Sequence, residues 1–462
     1  MIVCLPESSY LSVAVLGRCP VIAQLRGAGD GVRKRYAIVG AGARHVMFRE
    51  AILGPHAHAA ELVGICDNNR ARADMSEGAV AERGQALPVY AADQFDQMVA
   101  EQKPDVIIVC TPDHLHDDYM VRAMRPGCDV ITEKPMTTDI DKLERIITAQ
   151  RETGRSVTVT FNYRYAPART QVKHLLLDGA IGEITAVDFR WHLDRVHGAD
   201  YFRRWHRYKH LSGGLLVHKS PHHFDLLNWW IGAAPSMVRA TGRRAFYTPQ
   251  TAEAMRLTPR GPRCLTCPSA SRCAFRLDIA ADGKLGPLYL ETEGHDGYWR
   301  DRCVFDEDIT IEDTMQVQVD YANAVSLNYS LVAYSPWEGY EVVFHGTEGE
   351  LRHKTVEVHG VFGGKRNKPQ DDATTTEVHR AGETPYQVEV WKGEGGHGGA
   401  DPVMLGYIFD PAGMEPDRYA RSSNQEAGGL SILTGIAANM SIASGQTVPV
   451  APLMQQAGMR TA

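Results

Sequence analysis

The chain has 462 residues, which is enough for two or three domains with full hydrophobic cores. Its formal net charge of −7 and the lack of a long basic stripe argue against nucleic-acid partners, which need a clustered positive surface. No segment reaches the roughly 18 unbroken apolar residues of a membrane span, so we expect no membrane partner and a cytoplasmic location. Residues 1–34 are interpreted as an N-terminal extension without the features of a signal peptide.

Residues 35–158 predict a dinucleotide-binding Rossmann domain. A short apolar strand over 35–39 runs into Gly40-Ala41-Gly42-Ala43, and a helical stretch follows. The first glycine permits a tight turn, and the second lets backbone amides approach a pyrophosphate at the helix N-terminus. His45 replaces the usual third glycine, which weakens the expectation of close helix–strand packing. A glycine-rich turn that binds no ligand is the alternative.

The next two strands carry further cofactor candidates. The second strand ends in Asp67, whose carboxylate would bind the adenosine ribose hydroxyls and repel a 2′-phosphate. This favours NAD over NADP, although Arg70 and Arg72 follow closely, and a solvated helix cap is the alternative role for Asp67. The apolar strand over 105–110 ends in Thr111-Pro112-Asp113-His114-Leu115-His116, which could also be an ordinary strand-to-helix turn with Asp113 as the N-cap.

The most informative segment is Glu133-Lys134-Pro135, which comes directly after the apolar run over 128–132. A lysine at the carboxyl end of a parallel strand points into the cleft where a nicotinamide ring would lie. The alternative is an exposed lysine of no special function, because most lysines lie at the surface.

The ordered series of glycine turn, acid, Thr-Pro turn and Glu-Lys-Pro resembles the Gfo/Idh/MocA family of oxidoreductases. The resemblance covers about residues 35–450 apart from one insertion. It implies an α/β Rossmann domain followed by an α+β C-terminal domain with a large, mostly antiparallel open sheet. It also implies a nicotinamide cofactor in contact with six side chains or turns: Thr111, Pro112, His116, Glu133, Lys134 and the glycine turn.

Residues 159–462 are predicted to form the substrate and oligomerisation domain. Arg164 resembles a cleft-facing arginine of the family and is a candidate substrate ligand, with a surface salt bridge as an equal alternative. In Gly213-Gly214-Leu215-Leu216-Val217-His218-Lys219-Ser220-Pro221-His222, the histidine His222 matches the family's proton acceptor. His218 stands where the family has an aspartate, which is a departure from its pattern.

His218 and His222 are spaced to share one helix face, so both can reach one substrate. Two imidazoles titrate near neutrality, which suits proton transfer, and one of them should stay neutral because two cations would repel. Zinc binding by this pair and core packing of His218 are the alternatives.

Cysteines cluster in a loop-rich insertion around residues 250–305. Four of them have a spacing that could give a closed tetrahedral zinc site, namely Cys264, Cys267, Cys273 and Cys303. An iron–sulfur cluster, independent reduced thiols and a disulfide are the alternatives.

The remaining sequence predicts a sheet domain. Residues 314–357 alternate apolar and polar in hairpins that turn near 320–324 and 346–349, and a closing helix spans about 425–442. The glycine-rich segment over 395–401 is interpreted as a loop near the cleft, with His397 as a speculative substrate contact. A homodimer or homotetramer is implied by the resemblance.

These features predict an NAD-dependent oxidoreductase that removes a hydride from a hydroxyl carbon of a sugar, sugar derivative or cyclitol. Lys134 would hold the reacting hydroxyl, His222 would act as general base, and His218 would orient His222 or bind an adjacent hydroxyl. One alternative is a glycosidase that retains NAD and acts by transient oxidation, elimination and hydration. The other is a regulator that senses sugar and NAD without catalysis.

Overall fold

A computed structural model describes residues 33–362, 365–367 and 373–460. The predicted N-terminal extension lies outside the described residues except for its last two positions. The chain from Lys34 onward forms one compact unit.

The first part of the chain builds a six-stranded parallel sheet in the order β3-β2-β1-β4-β5-β6. Strand β4 is buried at every position, because helices cover both faces of a parallel sheet. The elements are β1 (Lys34–Val39), α1 (His45–Leu53), β2 (Ala60–Asp67), α2 (Arg70–Ala81), β3 (Val89–Ala91), α3 (Phe95–Gln102), β4 (Val106–Val109), α4 (His116–Met124), β5 (Asp129–Thr132), α5 (Ile140–Thr153) and β6 (Val157–Val159).

The second part begins with helices and two strands of a second sheet, and its first half ends in the loop-rich insertion. Its elements are α6 (Pro167–Leu177), β7 (Ile184–Asp194), α7 (Arg195–Arg203), α8 (Lys209–Ser212), α9 (Leu215–His218), α10 (Pro221–Ile231), β8 (Pro235–Arg243), α11 (Pro249–Ala254) and α12 (Glu293–Asp296). Between α11 and α12 lie only single turns of 3₁₀- and π-helix.

The remaining strands complete a nine-stranded sheet in the order β16-β15-β12-β11-β7-β10-β9-β8-β17, and β13 and β14 form a separate hairpin. All pairs of the large sheet are antiparallel except β7 with β10. The elements are β9 (Thr314–Tyr321), β10 (Ser326–Ser335), β11 (Glu338–Gly346), β12 (Gly349–Val358), β13 (Gly360–Phe362), β14 (Lys365–Asn367), β15 (Thr374–Arg380), β16 (Tyr386–Val388), α13 (Gly396–Phe409), α14 (Gln425–Ser444), β17 (Val448–Pro449) and α15 (Ala451–Gln456).

This architecture confirms the predicted fold class, a Rossmann sheet followed by a domain with a large, mostly antiparallel sheet. The predicted hairpins are also present, since β9 pairs with β10 and β11 pairs with β12 across the expected turns. Helix α14 is long and apolar enough to cross a membrane by composition alone, but it packs against β8 and α10 as a core helix.

Candidate active site

The glycine turn after β1 has the geometry of a phosphate-binding loop. Gly40 has a φ of +96°, and a Cβ atom there would lie 2.6 Å from the backbone carbonyl carbon of Cys110. Only glycine fits this close approach of two strand ends. The turn therefore brings the amides at the start of α1 to the carboxyl edge of the sheet, where a pyrophosphate binds in this fold.

His45 fills the position of the missing third glycine without opening the turn. Its buried ring contacts the carbonyl oxygen of Gly42 and the hydroxyl of Ser76 in α2, each at 2.5 Å. Burial lowers the pKa of His45 to about 4, so the ring is neutral near pH 7. The histidine thus ties α1 to α2. Phe48 and Ile52 of α1 share a buried cluster with Ile38 of β1, so the looser helix–strand packing suggested by the sequence does not occur.

Asp67 lies at the end of β2, where the sequence predicts it. Its carboxylate accepts the backbone amide of Ala41 at 2.5 Å and that of Asn69 at 2.6 Å, and burial raises its pKa. The neighbouring arginines have other partners: Arg72 forms an ion pair with Asp296 at 2.7 Å, and Arg70 pairs with the exposed Asp74.

Lys134 follows β5, and its side chain points to the C-terminal domain. The Nζ atom donates a hydrogen bond to the backbone carbonyl of His218 at 3.2 Å. Burial lowers the pKa of Lys134 to about 8, the carboxylate of Asp113 opposes this shift, and the positive charge of Lys219 adds to it. An amine with this pKa changes charge close to physiological pH.

His218 lies opposite Asp113, the third residue of the turn that follows β4. The Nδ1 atom is 2.5 Å from Oδ2 of Asp113, and both side chains are buried. Burial raises the pKa of Asp113 and lowers that of His218. The ring of His206 packs edge-on against His218 at 4.0 Å, so two imidazoles meet at this point.

His222 is stacked on Tyr163, with ring centroids 4.3 Å apart and planes inclined by 12°. Burial and then the charge of Lys134 lower the pKa of His222 well below its usual value, so the ring is neutral at pH 7. Its buried Nδ1 atom has no hydrogen-bond partner among the described residues. A neutral imidazole with an open nitrogen can accept a proton from a bound hydroxyl group.

The remaining predicted cofactor contacts lie around the Thr-Pro turn after β4 and the Lys-Pro turn after β5. Glu133 forms an ion pair with Arg44 of the glycine turn at 2.7 Å. His116 is buried and contacts the carbonyls of Thr111 and Pro135, each at 2.9 Å, so it joins the Thr-Pro turn to the Lys-Pro turn. The buried hydroxyl of Thr111 has no partner in the part of the chain that the structure describes.

Arg164 has a structural partner instead of an open position. Its guanidinium binds the carboxylate of Asp225 in α10 through two hydrogen bonds, at 2.7 and 2.5 Å, and both side chains are buried. Burial raises the pKa of Asp225 to about 6 against the attraction of Arg164. The sequence suggested a surface salt bridge as the alternative to substrate contact, and this ion pair is in the interior.

Sequence reasoning missed three side chains of the cluster. From the sequence, Asp113 was an alternative N-cap, Lys219 was expected to serve the phosphates or the surface, and Tyr163 was not singled out. Lys219 is buried, with Nζ at 3.4 Å from the hydroxyl of Tyr163 and 4.6 Å from the ring of Trp191. These contacts join residues far apart in the chain, so only the folded structure shows them. The one available signal in the sequence was that Asp113 directly follows the Thr-Pro pair.

The four cysteines of the insertion line one cavity of about 30 Å³. Each sulfur accepts a backbone amide: the donors are Leu277 to Cys264, Gly261 to Cys267, Phe275 to Cys273 and Phe305 to Cys303. Across the described ranges, no group of three or more His, Cys, Asp or Glu side chains is arranged to hold a metal ion. The geometry therefore gives no support to a zinc ion at His218 and His222, and it shows no formed site at the four cysteines either. The four-cysteine zinc site stays a prediction.

The segment over 395–401, which the sequence predicts as a loop, is instead the distorted start of α13, where His397, Gly398 and Gly399 have positive φ angles. His397 contacts Asp401 at 2.7 Å, and Asp401 accepts a hydrogen bond from Asn162 at 2.7 Å. Asn162 directly precedes Tyr163, on which His222 is stacked, so this segment lies near that ring. The side chain of His397 is 45% exposed, which leaves it open to a ligand or to solvent.

The chain has a parallel sheet with a glycine turn and an acid, and a second sheet domain whose histidines lie beside Lys134. This combination is typical of a two-domain oxidoreductase. Residues 34–161 match the NAD-binding Rossmann fold of the Gfo/Idh/MocA oxidoreductase family, and residues 173–450 match that family's C-terminal alpha/beta domain. The chain belongs to this family.

Two relatives and one solved structure illustrate the similarity. "Putative oxidoreductase YteT" of Bacillus subtilis (strain 168) is 35% identical over 413 residues, which are 86% of this chain and 92% of that protein. "Inositol 2-dehydrogenase" of Rhizobium meliloti (strain 1021) is 27% identical over 207 residues, 45% of this chain and 58% of that protein. The crystal structure of aldose-aldose oxidoreductase from Caulobacter crescentus complexed with glycerol has a TM-score of 0.58 at 17% identity, over 90% of this chain and 100% of that one. This last similarity concerns the fold.

Proposed function

We propose that the protein is an NAD-dependent oxidoreductase that removes a hydride from a hydroxyl carbon of a sugar, sugar derivative or cyclitol. The observation that carries the proposal is the convergence of Lys134, His218 and His222 at the carboxyl edge of the Rossmann sheet. Lys134 reaches the His218 carbonyl, and its charge acts on both histidines. Relatives named as an inositol 2-dehydrogenase and as a D-glucoside 3-dehydrogenase support this substrate class.

The nicotinamide cofactor would be held by the glycine turn and by Asp67, and it would supply the hydride acceptor. We propose NAD in preference to NADP, because Asp67 would oppose a 2′-phosphate and because Arg72 is already paired with Asp296. Among the residues that would face the cofactor, Thr111 has a buried hydroxyl that is open to a ligand.

In this proposal, side chains of the protein bind the substrate hydroxyl and accept its proton. The Lys134 ammonium would hold the substrate hydroxyl and lower its pKa, since a nearby positive charge favours the alkoxide. The neutral His222 would take the proton, and its stacking on Tyr163 would fix the ring. His218, oriented by Asp113, would bind the adjacent hydroxyl.

The test combines NADH absorbance with detection of released aglycone. Purified protein and NAD are incubated with free sugars, cyclitols and aryl glycosides. NADH that accumulates in step with substrate consumption, and that is lost in Lys134→Met but kept in Lys142→Met, supports the dehydrogenase. Lys142 is a suitable control because it pairs with Asp139 at the start of α5.

An NAD-retaining glycosidase is the second candidate, because the insertion reaches the dinucleotide site, where Tyr289 accepts the backbone amide of Ala43. Aglycone released without accumulation of NADH would establish it. The regulator hypothesis has less support, since both Lys134 and His222 are intact. It would gain support if sugar and NAD bound and neither product formed.

We also propose that Cys264, Cys267, Cys273 and Cys303 hold a structural zinc ion. The support is that all four line one cavity and that each sulfur accepts a backbone amide. Such N–H···S bonds favour thiolates, which are the form that binds zinc. Burial acts in the opposite direction and raises the pKa of the Cys273 and Cys303 thiols. A cytoplasmic location stays an expectation, and it would keep the thiols reduced.

A further inference from the structure

The insertion between β8 and β9 reaches the phosphate end of the dinucleotide site. The backbone amide of Ala43 donates a hydrogen bond to the hydroxyl of Tyr289 at 3.1 Å. A Cβ atom built on Gly42 would lie 3.5 Å from the same hydroxyl. In a Rossmann fold, the backbone amides at the start of the first helix, here α1, donate hydrogen bonds to a pyrophosphate oxygen. Tyr289 therefore occupies the place of a phosphate acceptor.

The same segment is anchored beside the ribose-binding acid. Asn69 donates its side-chain amide to the carbonyl of Thr292 at 3.0 Å, and the Nε atom of Arg72 donates to the carbonyl of Leu288 at 3.1 Å. Arg72 then binds Asp296 at 2.7 Å, and the side chains are only 8% and 9% exposed. We call residues 286–296 the strap.

The Arg72–Asp296 pair is the strongest tie of the strap. A buried ion pair is costly to break, because each charge is then left without its partner in a low-dielectric environment. The guanidinium of Arg72 also lies over the ring of Tyr289, 5.0 Å from its centroid. The pair and the ring therefore hold the strap against the start of α2 and the glycine turn together.

From these contacts we infer that the strap encloses the bound dinucleotide and makes its exchange slow relative to hydride transfer. A dinucleotide that binds both the Ala43 amide and Asp67 must lie between the glycine turn and the strap. On binding, Tyr289 would give up the Ala43 amide to a phosphate oxygen, and Arg72 with Asp296 would keep the strap closed beside Asp67. The inference rests on the proposed function only in requiring that a nicotinamide dinucleotide binds here.

Slow exchange has a chemical consequence. A net dehydrogenase must release the reduced cofactor once per turnover, so release through the strap would limit its rate. An enzyme that keeps the cofactor has to return the hydride, with a proton, to a carbonyl group before the next cycle. That carbonyl would belong to an oxidised intermediate of the same substrate or to a second sugar. Release of NADH through the strap would therefore limit the rate of the proposed dehydrogenase, and the same strap would suit the second candidate, which returns the hydride without net redox change.

The experiment measures association and release of NADH by stopped-flow fluorescence with the full-length protein. The variant Asp296→Asn keeps the shape of the side chain and removes the charge that holds the strap. We expect both rate constants to rise by about tenfold while the Kd changes much less, because the barrier falls for both directions. The matched control Asp278→Asn lies in the same insertion, in an exposed pair with Arg276, and should leave both rates unchanged.

A second variant tests the strap without touching its ion pair. Tyr289→Phe removes only the hydroxyl that competes for the Ala43 amide, so NADH should bind more tightly than to the wild type. Tyr386→Phe, on an exposed tyrosine of the large sheet, is its control.

The outcomes separate the two proposals. Suppose that NADH binds and that its rate constants are the same in wild type, Asp296→Asn and Tyr289→Phe. The inference that the strap slows exchange is then wrong, and the proposed function stands. Release in the wild type that is faster than hydride transfer in a single-turnover experiment also overturns it. If neither NADH nor NADPH binds the wild-type protein, both proposals fail.

Discussion

Lys134 has a pKa of about 8, which makes the rate depend on pH in a predictable direction. In the proposed mechanism the ammonium form holds the hydroxyl, so kcat/KM should fall as pH rises through about 8. No acid limb is expected near pH 6.5, because the pKa of His222 lies well below its usual value and the ring is neutral there. A profile of kcat/KM against pH checks this. A rate that instead rises through pH 8 would make the Lys134 amine the base and contradict the assignment to His222.

Asp113 acts on the reaction through His218, and we predict it to be a positioning residue. The variant Asp113→Asn keeps the shape and removes the charge opposite Nδ1 of His218. We expect kcat/KM to fall by about 10²-fold, because a misplaced His218 no longer holds the hydroxyl next to the reacting one. A shifted pH profile would accompany the loss. Asp117→Asn, a carboxylate of α4 that pairs with Arg145, is the control that should keep full activity. An equal fall in both variants would contradict the role of Asp113.

At the scale of elements, the ion pair of Arg164 with Asp225 joins the segment after β6 to α10. Replacing Asp225 by Ala leaves a buried guanidinium without its partner, so the free energy of unfolding should fall by about 3–5 kcal/mol. Thermal unfolding of the variant measures the loss, with Asp74→Ala as the exposed control, whose pair with Arg70 contributes little. The idea of a structural role fails if Asp225→Ala keeps the stability of the wild type but loses substrate affinity.

The insertion is the other element that can be tested by itself. We expect the purified protein to contain one zinc ion per chain, because four thiols around a small cavity can supply a complete tetrahedral set. Elemental analysis measures the zinc content. Cys267→Ser should lower it, and Cys128→Ser, at a buried cysteine just before β5, should not. Protein without metal whose four thiols all react with a thiol reagent would contradict the prediction.

For the whole molecule, the sequence predicted the fold better than the site. The apolar strand before Asp113, the glycine turn and the hairpin alternation in β9 and β10 are local patterns, and the sheets follow from them. The pairing of Asp113 with His218 and of Tyr289 with Ala43 joins residues far apart in the chain, and no local pattern encodes such contacts. The role of Arg164 could not be predicted for the same reason. Its ion pair with Asp225, 61 residues further along the chain, indicates a structural role and not a substrate contact.

The oligomeric state is the last property that belongs to the whole molecule. On β9 and the first half of β10, buried apolar residues alternate with exposed polar ones, so this part of the large sheet presents an open polar face. This face has a depression of about 430 Å³, and its lining includes Arg190, Gln318 and Asn328. Polar, hydrated faces of this kind can pair subunits when they bury roughly 1,600 Å².

We therefore predict a homodimer or homotetramer of the 51.0 kDa chain that is held together through this face. Light scattering coupled to gel filtration gives the mass directly. The variant Gln318→Arg brings like charges together wherever a twofold axis crosses the face, and it should shift the mass toward the monomer. Gln97→Arg, at an exposed position of α3, should leave the mass unchanged. A monomeric wild-type protein at assay concentrations would contradict the prediction, and a dimer unaffected by Gln318→Arg would assign the contact to another surface.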